Sequence, residues 1–337
     1  MPIIQTQIKG GGSSGPTYYI EKTKDANDTL QNSSTIINLN GVTDVGTYAL
    51  HSVYRANNNI SGVVDFSSLT KITGNYAAEE AFFSCGAITG VNCSHLKQVS
   101  GMSALNQTFM RCPNITSADF SSLEVITGQN GLASIFRNSG VANANFSSLN
   151  AIYSSACLSG AFRECSNITE FVFDSLSYVN SHNGLQYCFQ GCTNLVSLSF
   201  PALTSTSFES TTTQFSSMCG GITGITLHFP SNAQSAIEGL TGYSTTAPFG
   251  ATSGTVLFDL PATNILTGAD TVEYQRNPKY DTATALAWRV KDTGIAPNLT
   301  IDWTPFYTSG LTDPTVGTTI YSDSACTIAE TTVDSIA

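Results

Sequence analysis

Cysteine is the residue type whose spacing in this sequence most directly suggests chemistry. Five of the nine cysteines occupy equivalent positions of a pattern that repeats every 26 or 27 residues: Cys85, Cys112, Cys165, Cys192 and Cys219. Ser139 occupies the remaining equivalent position, between Cys112 and Cys165. Thiols could form disulfides or, with Cys188 close to Cys192, bind zinc. Stacked rungs would lie about 5 Å apart with parallel side chains, which is the wrong direction for a disulfide. We therefore expect buried free thiols and no metal site.

Other residue types offer no catalytic arrangement. The four histidines, His51, His95, His182 and His228, are scattered and form no Ser-His-Asp or His-x3-His pattern. Serine and threonine are too numerous for one of them to indicate a nucleophile, and Asp and Glu are too sparse to suggest a carboxylate pair. The sequence therefore predicts a protein that is not an enzyme and that uses no cofactor.

The cysteine register belongs to a longer repeat in the middle of the chain. One row of leucines recurs every 26 or 27 residues: Leu69, Leu96, Leu123, Leu149, Leu176 and Leu203. A row of phenylalanines precedes the cysteines: Phe82, Phe109, Phe136, Phe162 and Phe189. The consensus is Phe-x2-Cys-x2-Ile-x2-φ-x-Phe-x2-Leu-x2-Ile, where φ is apolar or small, and Leu227 is expected to continue it. Such a period indicates a solenoid.

Each coil needs two elements to place these rows in a core. Ala118 and Phe120 alternate with Ser117 and Asp119, which predicts a short strand whose apolar side faces inward. Residues 105–112 carry apolar side chains at i, i+4 and i+7, which predicts one or two turns of α-helix or 3-10 helix. One coil cannot bury both faces alone, so the coils must stack around a shared core.

The pattern resembles the BspA-like, or treponemal-type, leucine-rich repeats over residues 48–230. That family also has a Phe-x2-Cys-x2-Leu core in repeats of similar length. Ser139 replaces the cysteine of coil four, and Tyr54 and Asn57 replace the phenylalanine and cysteine of coil one. The resemblance implies an α/β solenoid of about seven 26–27-residue coils with a parallel β-sheet face. It also implies adhesion or recognition and no chemistry.

The sheet face is the candidate recognition surface. Strand positions that point away from the core should form two columns, in which Asn and Asp could donate and accept hydrogen bonds to a polysaccharide. The alternative is a solvated face, or a face covered by another subunit. The candidate residues are Asn92, Ser117, Asp119, Asn143, Asn145, Glu170, Ser197 and Ser199.

Composition narrows the function classes. Charged residues make up 11% of the 337 residues and the net charge is −11, whereas typical soluble domains have about 25% charged residues. Without a basic cluster, nucleic acid is not an expected partner. No run of apolar residues is long enough to insert in a membrane, and the first residues do not form a secretory signal.

These features favour a bacteriophage virion component, such as a fibre, a head or tail decoration or a host-attachment protein, located in the virion. Its expected partners are other virion proteins, copies of itself as a homo-oligomer, and a host-surface glycan or protein. The alternatives are a BspA-like adhesin on a bacterial cell surface and, more distantly, a glycan-active enzyme.

The ends differ in composition from the repeats. Residues 1–16 are predicted to be a flexible arm, residues 17–47 a cap or attachment segment, and residues 48–230 the solenoid. Residues 231–262 should form a C-terminal cap with a helix near 233–240, begun by Ser231 or Asn232, and a strand at 255–260. Residues 263–337, which include Trp288 and Trp303, should form a small β-rich module.

Overall fold

The computed structural model describes residues 5–9, 17–21, 39, 41–208, 213–260, 265–269, 273–276, 284–290, 306–310 and 314–336. The glycine-rich stretch at 10–16, most of the predicted cap segment at 22–38, and Trp303 lie outside these residues. In the part of the chain that is described, no helix has the length and apolar character needed to cross a membrane.

The middle of the chain is a solenoid of about seven stacked parallel turns, as predicted. One strand per coil, and one strand of the segment that follows the coils, form the front of the solenoid. The coil strands are β4 (Gly62–Asp65), β6 (Ile88–Asn92), β8 (Ser117–Asp119), β10 (Asn143–Asn145), β12 (Glu170–Val172), β14 (Ser197–Ser199) and β15 (Thr223–Pro230), and the last strand is β16 (Ser253–Leu260). These strands form two parallel four-stranded sheets, in the orders β10-β8-β6-β4 and β12-β14-β15-β16. We call this surface the front face.

A second row of two-residue strands forms a five-stranded parallel sheet of its own. Its strands are β5 (Lys71–Ile72), β7 (Gln98–Val99), β9 (Val125–Ile126), β11 (Ala151–Ile152) and β13 (Tyr178–Val179). The isoleucine or valine of each strand is buried, because it is the last apolar position of the repeat consensus. Each Leu-x2-Ile segment therefore connects a strand of the front face to a strand of this second sheet.

Strands also form at both ends of the chain. Before the coils, β1 (Gln5–Lys9), β2 (Thr17–Glu21) and β3 (Asp44–Val45) form a three-stranded sheet. After them, six antiparallel strands close a barrel: β17 (Ile265–Gly268), β18 (Glu273–Arg276), β19 (Ala285–Val290), β20 (Phe306–Ser309), β21 (Thr319–Tyr321) and β22 (Ala329–Ile336). The predicted C-terminal β-rich module is confirmed, and Trp288 is buried in the barrel core with its Nε1 donating to Thr308 Oγ1 at 3.0 Å.

Aromatic rings stack along the core of the solenoid. The phenylalanine row begins at Tyr54, and its neighbouring ring centroids lie 5.1–5.8 Å apart with nearly parallel planes. A second stack follows the strand phenylalanines, for example Phe120 on Phe146 at 4.9 Å and Phe173 on Phe200 at 5.4 Å. Every ring of these stacks is fully buried. The 27-residue period thus places like rings on like rings, which gives each coil the same apolar contact with the next.

The predicted helical segment is wrong: residues 103–112 and their equivalents form a chain of tight turns. Alternate backbone N–H groups donate within the coil, such as Met110 to Gln107 O at 3.2 Å, and to the next coil, such as Phe109 to Ile135 O at 2.9 Å. Ser103, Gln107 and Arg111 have φ near +50° to +60°, which suits the third position of a type II turn. We call the stack of these segments the turn ribbon. In an α-helix, the backbone N–H groups would donate to carbonyl groups of the same helix and would not be available to bond the neighbouring coil.

Side-chain donors repeat the same coil-to-coil bonding. The Cys112 thiol donates to Phe82 O at 3.1 Å, and Cys85, Cys165 and Cys192 make the equivalent bond at 2.9–3.0 Å. Two residues after the cysteine, Asn114 Nδ2 donates to Gly86 O at 2.6 Å, and two later coils repeat this bond with Asn167 and Asn194. The thiol row and the asparagine row therefore link backbones of successive coils.

A row of glycines marks the closest approach between coils. A Cβ on Gly101 would lie 2.0 Å from Gly74 O, and a Cβ on Gly128 would lie 2.1 Å from Gly101 O. Only a residue without a side chain fits between the stacked backbones at these positions. The sequence shows this row at a 27-residue spacing, and it was missed because the apolar rows dominated the pattern.

The front face is interrupted between coils four and five. In the residues that the structure describes, β10 and β12 share no strand pairing, although each pairs with its other neighbour. The inward position that is Ala118 in β8 and Ala144 in β10 becomes Phe171 in β12, which contacts Phe162 and Phe189 at 5.0 Å. The strand pairing is therefore lost at the point where the inward side chain changes from alanine to phenylalanine. Coil four is also one residue short, since Ser139 and Val141 lie two positions apart.

The C-terminal cap differs in detail from the prediction. The predicted helix is short: a 3-10 turn at Ser231–Ala233 leads into helix α1 (Gln234–Glu238), which has Ala233 as N-cap and no side-chain capping bond. Ser231 and Asn232 are therefore wrong as capping residues. Leu227 pairs with Leu198, and Phe229 stacks on Phe200 at 5.3 Å, so Leu227 does not continue the register as expected. Two extra residues precede this position.

The glycine row gives a direct test of coil spacing. We expect Gly101→Ala to lower the free energy of unfolding of the solenoid by at least about 3 kcal/mol, because backbone atoms of the preceding coil must move. Gly239→Ala is the matched control, since its Cβ would meet nothing nearer than 3.4 Å. Urea unfolding followed by far-ultraviolet circular dichroism measures both. Equal stability of the two variants would contradict the close approach.

Candidate functional site

The front face brings the candidate recognition residues into the two expected columns. In the first column Asn92 pairs with Asp119 and Asp119 with Asn145, while Ser199 lies opposite Val172 in the second sheet. In the second column Gly90, Ser117 and Asn143 are in register, and Glu170 lies opposite Ser197. The break between β10 and β12 divides both columns, so the face is two polar patches and not one continuous ladder.

Exposure differs between the two columns. The side chains of Ser117, Asn143 and Glu170 are exposed, and Ser197 is half-buried. Asn92, Asp119 and Asn145 are half-buried, and Ser199 is only 4% exposed. Ser199 was expected to point to solvent, and that expectation is wrong. The accessible part of the face is therefore the column of Ser117, Asn143 and Glu170.

The half-buried column has a structural task. Asn92, Asp119 and Asn145 each accept, through Oδ1, the backbone N–H of the serine two residues on, at 3.2, 2.9 and 3.0 Å. These are Asx turns, which satisfy an N–H at the point where the strand ends. Asp65 makes the same bond in coil one and also accepts from Asn92 Nδ2 at 3.1 Å. The Asn and Asp ladder is thus largely explained by chain reversal.

The Asx turns stop where the sheet is interrupted. Val172 has no side-chain acceptor, and Ser199 is followed two residues later by Pro201, which has no N–H to satisfy. At the edge of the first patch, Asn145 Nδ2 is buried and has no hydrogen-bond partner among the described residues. A buried amide without a partner is costly, so this donor is a place where a ligand hydroxyl or a water could add a bond.

The cysteines are poor nucleophiles in this fold. All nine are free thiols, and all except Cys326 are buried, which confirms the expectation for the cysteine register. Burial raises the pKa of Cys112 to about 12 and those of Cys85 and Cys157 to about 11. Removing a thiolate from water is unfavourable, so these groups remain protonated at neutral pH.

The histidines have separate local contacts. His51 Nε2 lies 3.4 Å from Glu79, His95 Nδ1 lies 2.7 Å from Ser67 O, and His182 Nδ1 lies 3.2 Å from Thr213 Oγ1. Among the described residues, no three His, Cys, Asp or Glu side chains are grouped so that they could hold a metal ion.

Comparisons with known proteins find similar solved structures. No protein-family model and no curated protein matches this sequence. Two solved structures of leucine-rich repeat proteins align with it. One, from T. pallidum, is 20% identical over 49% of this chain and 68% of that chain, with a TM-score of 0.24. The other, from Bacteroides ovatus, is 11% identical over 76% of this chain and 99% of that chain, with a TM-score of 0.15. The assignment of the fold rests on the stacked coils themselves.

The Asx turns predict different outcomes for two substitutions of Asp119. Asp119→Asn keeps the Oδ1 acceptor and should leave the free energy of unfolding within about 0.5 kcal/mol of the original. Asp119→Ala leaves the Ser121 N–H without this partner and should cost about 1 kcal/mol or more. Chemical denaturation of both variants measures the difference. A similar loss in both would mean that the charge of Asp119, and not its turn, stabilises the strand end.

The buried thiols predict loss of stability at alkaline pH. The pKa of Cys112 is raised on folding from its usual 9.0 to about 12, so between these values the unfolded chain has lost a proton that the folded chain keeps. Stability is full below pH 9 and falls as pH rises above it. Each such thiol contributes up to about 1.4 kcal/mol per pH unit to this slope.

Urea unfolding at a series of pH values from 7 to 11 tests the thiol contribution. Cys112→Ala should make the decline above pH 9 shallower by about the contribution of one thiol. Ser139→Ala is the matched control, because it changes the same rung of another coil without removing a titrating group, and its slope should equal the original. An unchanged slope in Cys112→Ala would show that this thiol is not held neutral.

Proposed function

We propose that this chain is a non-enzymatic recognition protein and, more specifically, a component of a bacteriophage virion such as a fibre, a head or tail decoration or a host-attachment protein. The observation that supports recognition best is the exposure of short polar side chains at equivalent strand positions of the front face, with Ser117 and Asn143 in register on one sheet and Glu170 on the other. Short polar side chains on a stacked backbone can present hydrogen-bond donors and acceptors at fixed spacing.

The same proposal holds that the chain does not catalyse a reaction. An enzyme acting on glycans would need two carboxyl groups facing each other across a cleft. On the front face, the Asp119 carboxylate is engaged in an Asx turn, and Glu170 belongs to the other sheet. Thr213 lies beside His182, but no described acidic side chain is hydrogen-bonded to that imidazole, so the orienting third group of a catalytic triad is missing there.

The virion role is supported by composition and architecture. Few charges, many hydroxyl and amide side chains, and a repeat array followed by a separate barrel suit a protein that is assembled into a larger particle and exposed on it. A homo-oligomer fits this role, because particle components are commonly symmetric. A bacterial cell-surface adhesin of the BspA-like kind would use the same front face in another location.

Protein content of purified fractions tests the location. Mass spectrometry of density-purified phage particles and of washed cell envelopes from the same culture should recover the chain in the particles, at a fixed ratio to a capsid protein. Host cytoplasmic proteins serve as the control for contamination. Recovery in envelopes alone would reject the virion role and favour the cell-surface adhesin.

A further inference from the structure

The first two coils carry an anomaly on the turn ribbon. Tyr48 and Tyr76 occupy the first left-handed position of their coils, with φ of +57° and +53°. Bulky side chains are disfavoured in this conformation. The later coils use smaller or more tolerant residues at the equivalent position: Ser103, Asn130, Ala156 and Asn183. Two adjacent coils therefore place a tyrosine at a position where four later coils carry smaller side chains.

The two tyrosine rings are stacked one on the other, and we call this stack the platform. Their ring centroids lie 5.0 Å apart and their planes differ by 7°. Tyr48 is 44% exposed. Tyr76 is half-buried, and its hydroxyl lies 3.8 Å from Met102 Sδ in the third coil. The stack is thus supported from the side of coil three, and the outer ring is the more accessible one.

A row of polar groups lies beside the platform. The ring of His51 meets Tyr48 edge-on at 5.6 Å, and His51 Nε2 lies 3.4 Å from Glu79 Oε2. The other oxygen of Glu79 accepts Asn106 Nδ2 at 2.8 Å. Imidazole, carboxylate and amide therefore follow one another across three coils, with donors and acceptors already held in place by their mutual bonds.

Sugar rings match this combination of surfaces. A pyranose has an apolar face of C–H groups that can lie on an aromatic ring, and hydroxyls at its rim that bind planar polar side chains. Glu80 is paired with Arg55, and Glu79 adds a carboxylate to the polar row. A neutral sugar is therefore favoured over an acidic one, which this carboxylate would repel.

We propose that Tyr48 and Tyr76, with His51, Glu79 and Asn106, form a binding site for a neutral sugar residue of a surface polysaccharide. This inference rests on the proposed recognition function and gives it a ligand class and a site on the turn ribbon, away from the front face. Aromatic stacking supplies the contact area, and the polar row sets the orientation of the ring.

A second tyrosine pair provides an internal control. Tyr153 is 51% exposed and lies 5.0 Å from Tyr178, but the two planes differ by 46°. The Asn180 amide lies 3.3 Å from the Tyr178 hydroxyl. Because the two rings are tilted and not stacked in parallel, this pair should not bind sugar in the same way.

Saturation-transfer NMR with the full chain tests the site. The probes are soluble hexamers of glucose, galactose and N-acetylglucosamine, each at millimolar concentration. At least one hexamer should bind, and Tyr48→Ser should weaken it by about tenfold or more, as expected for loss of a central tyrosine. Tyr48→Phe should bind within about twofold of the original, because the flat ring remains. Tyr153→Ser should bind as the original does.

The fold is expected to tolerate Tyr48→Ser, because serine holds the same position in coil three, and thermal melting checks this. A second variant, Glu79→Gln, should also weaken sugar binding without altering the ribbon. Failure of all three hexamers to bind, or binding that Tyr48→Ser leaves unchanged, would overturn the site. Attachment of the purified chain to host cells separates the two proposals. Attachment that persists in Tyr48→Ser would retain the recognition function while rejecting this site.

Discussion

The spacing between coils is the constraint on which the rest of this structure depends. On the front face and the turn ribbon, backbone N–H groups donate to the carbonyl groups of the neighbouring coil. Adjacent backbones are therefore held at strand distance, about 4.8 Å. At that distance glycine is needed where backbones approach most closely, and like side chains meet like side chains. The ring stacks, the thiol row and the asparagine row all follow from it.

The same constraint explains why the sequence predicted the core well and the ribbon poorly. The rows of Phe, Cys, Ile and Leu report only which side chains point inward, and these rows were placed correctly apart from Leu227. An i, i+4, i+7 pattern fits an amphipathic helix, and it also fits a chain of turns in which every fourth residue is left-handed. Residues such as Gln107 and Arg111 have no special preference for positive φ. The turns are favoured over a helix because their N–H groups can bond the next coil, and the residue pattern of a single coil does not show this.

The candidate site shows a similar division. Register alone placed Ser117, Asn143 and Glu170 together on the front face, because a constant period keeps equivalent positions aligned. Register could not show which polar side chains of the front face are exposed to a ligand and which ones stabilise the strand ends. The signal for the structural task was present in the spacing of Asp119 and Ser121, since an Asx residue followed two positions later by a serine at a strand end is typical of a turn. The tyrosine pair was missed because Tyr48 and Tyr76 lie outside the apolar rows of the consensus, and only the stacked ribbon shows that their rings are in contact.

The interruption between β10 and β12 indicates how such a scaffold divides its surface without dividing its core. Phe171 fills the space of an alanine and contacts rings of both neighbouring coils, so apolar burial is continuous across the break. Strand pairing is lost at the front, while β11 and β13 still pair in the second sheet. At this position a few backbone hydrogen bonds are lost and the buried aromatic area is larger, and these two contributions to the stability of the fold are of similar size. The front face can therefore be two patches of different chemistry, one lined by Asx turns and one without them, on a single stacked core.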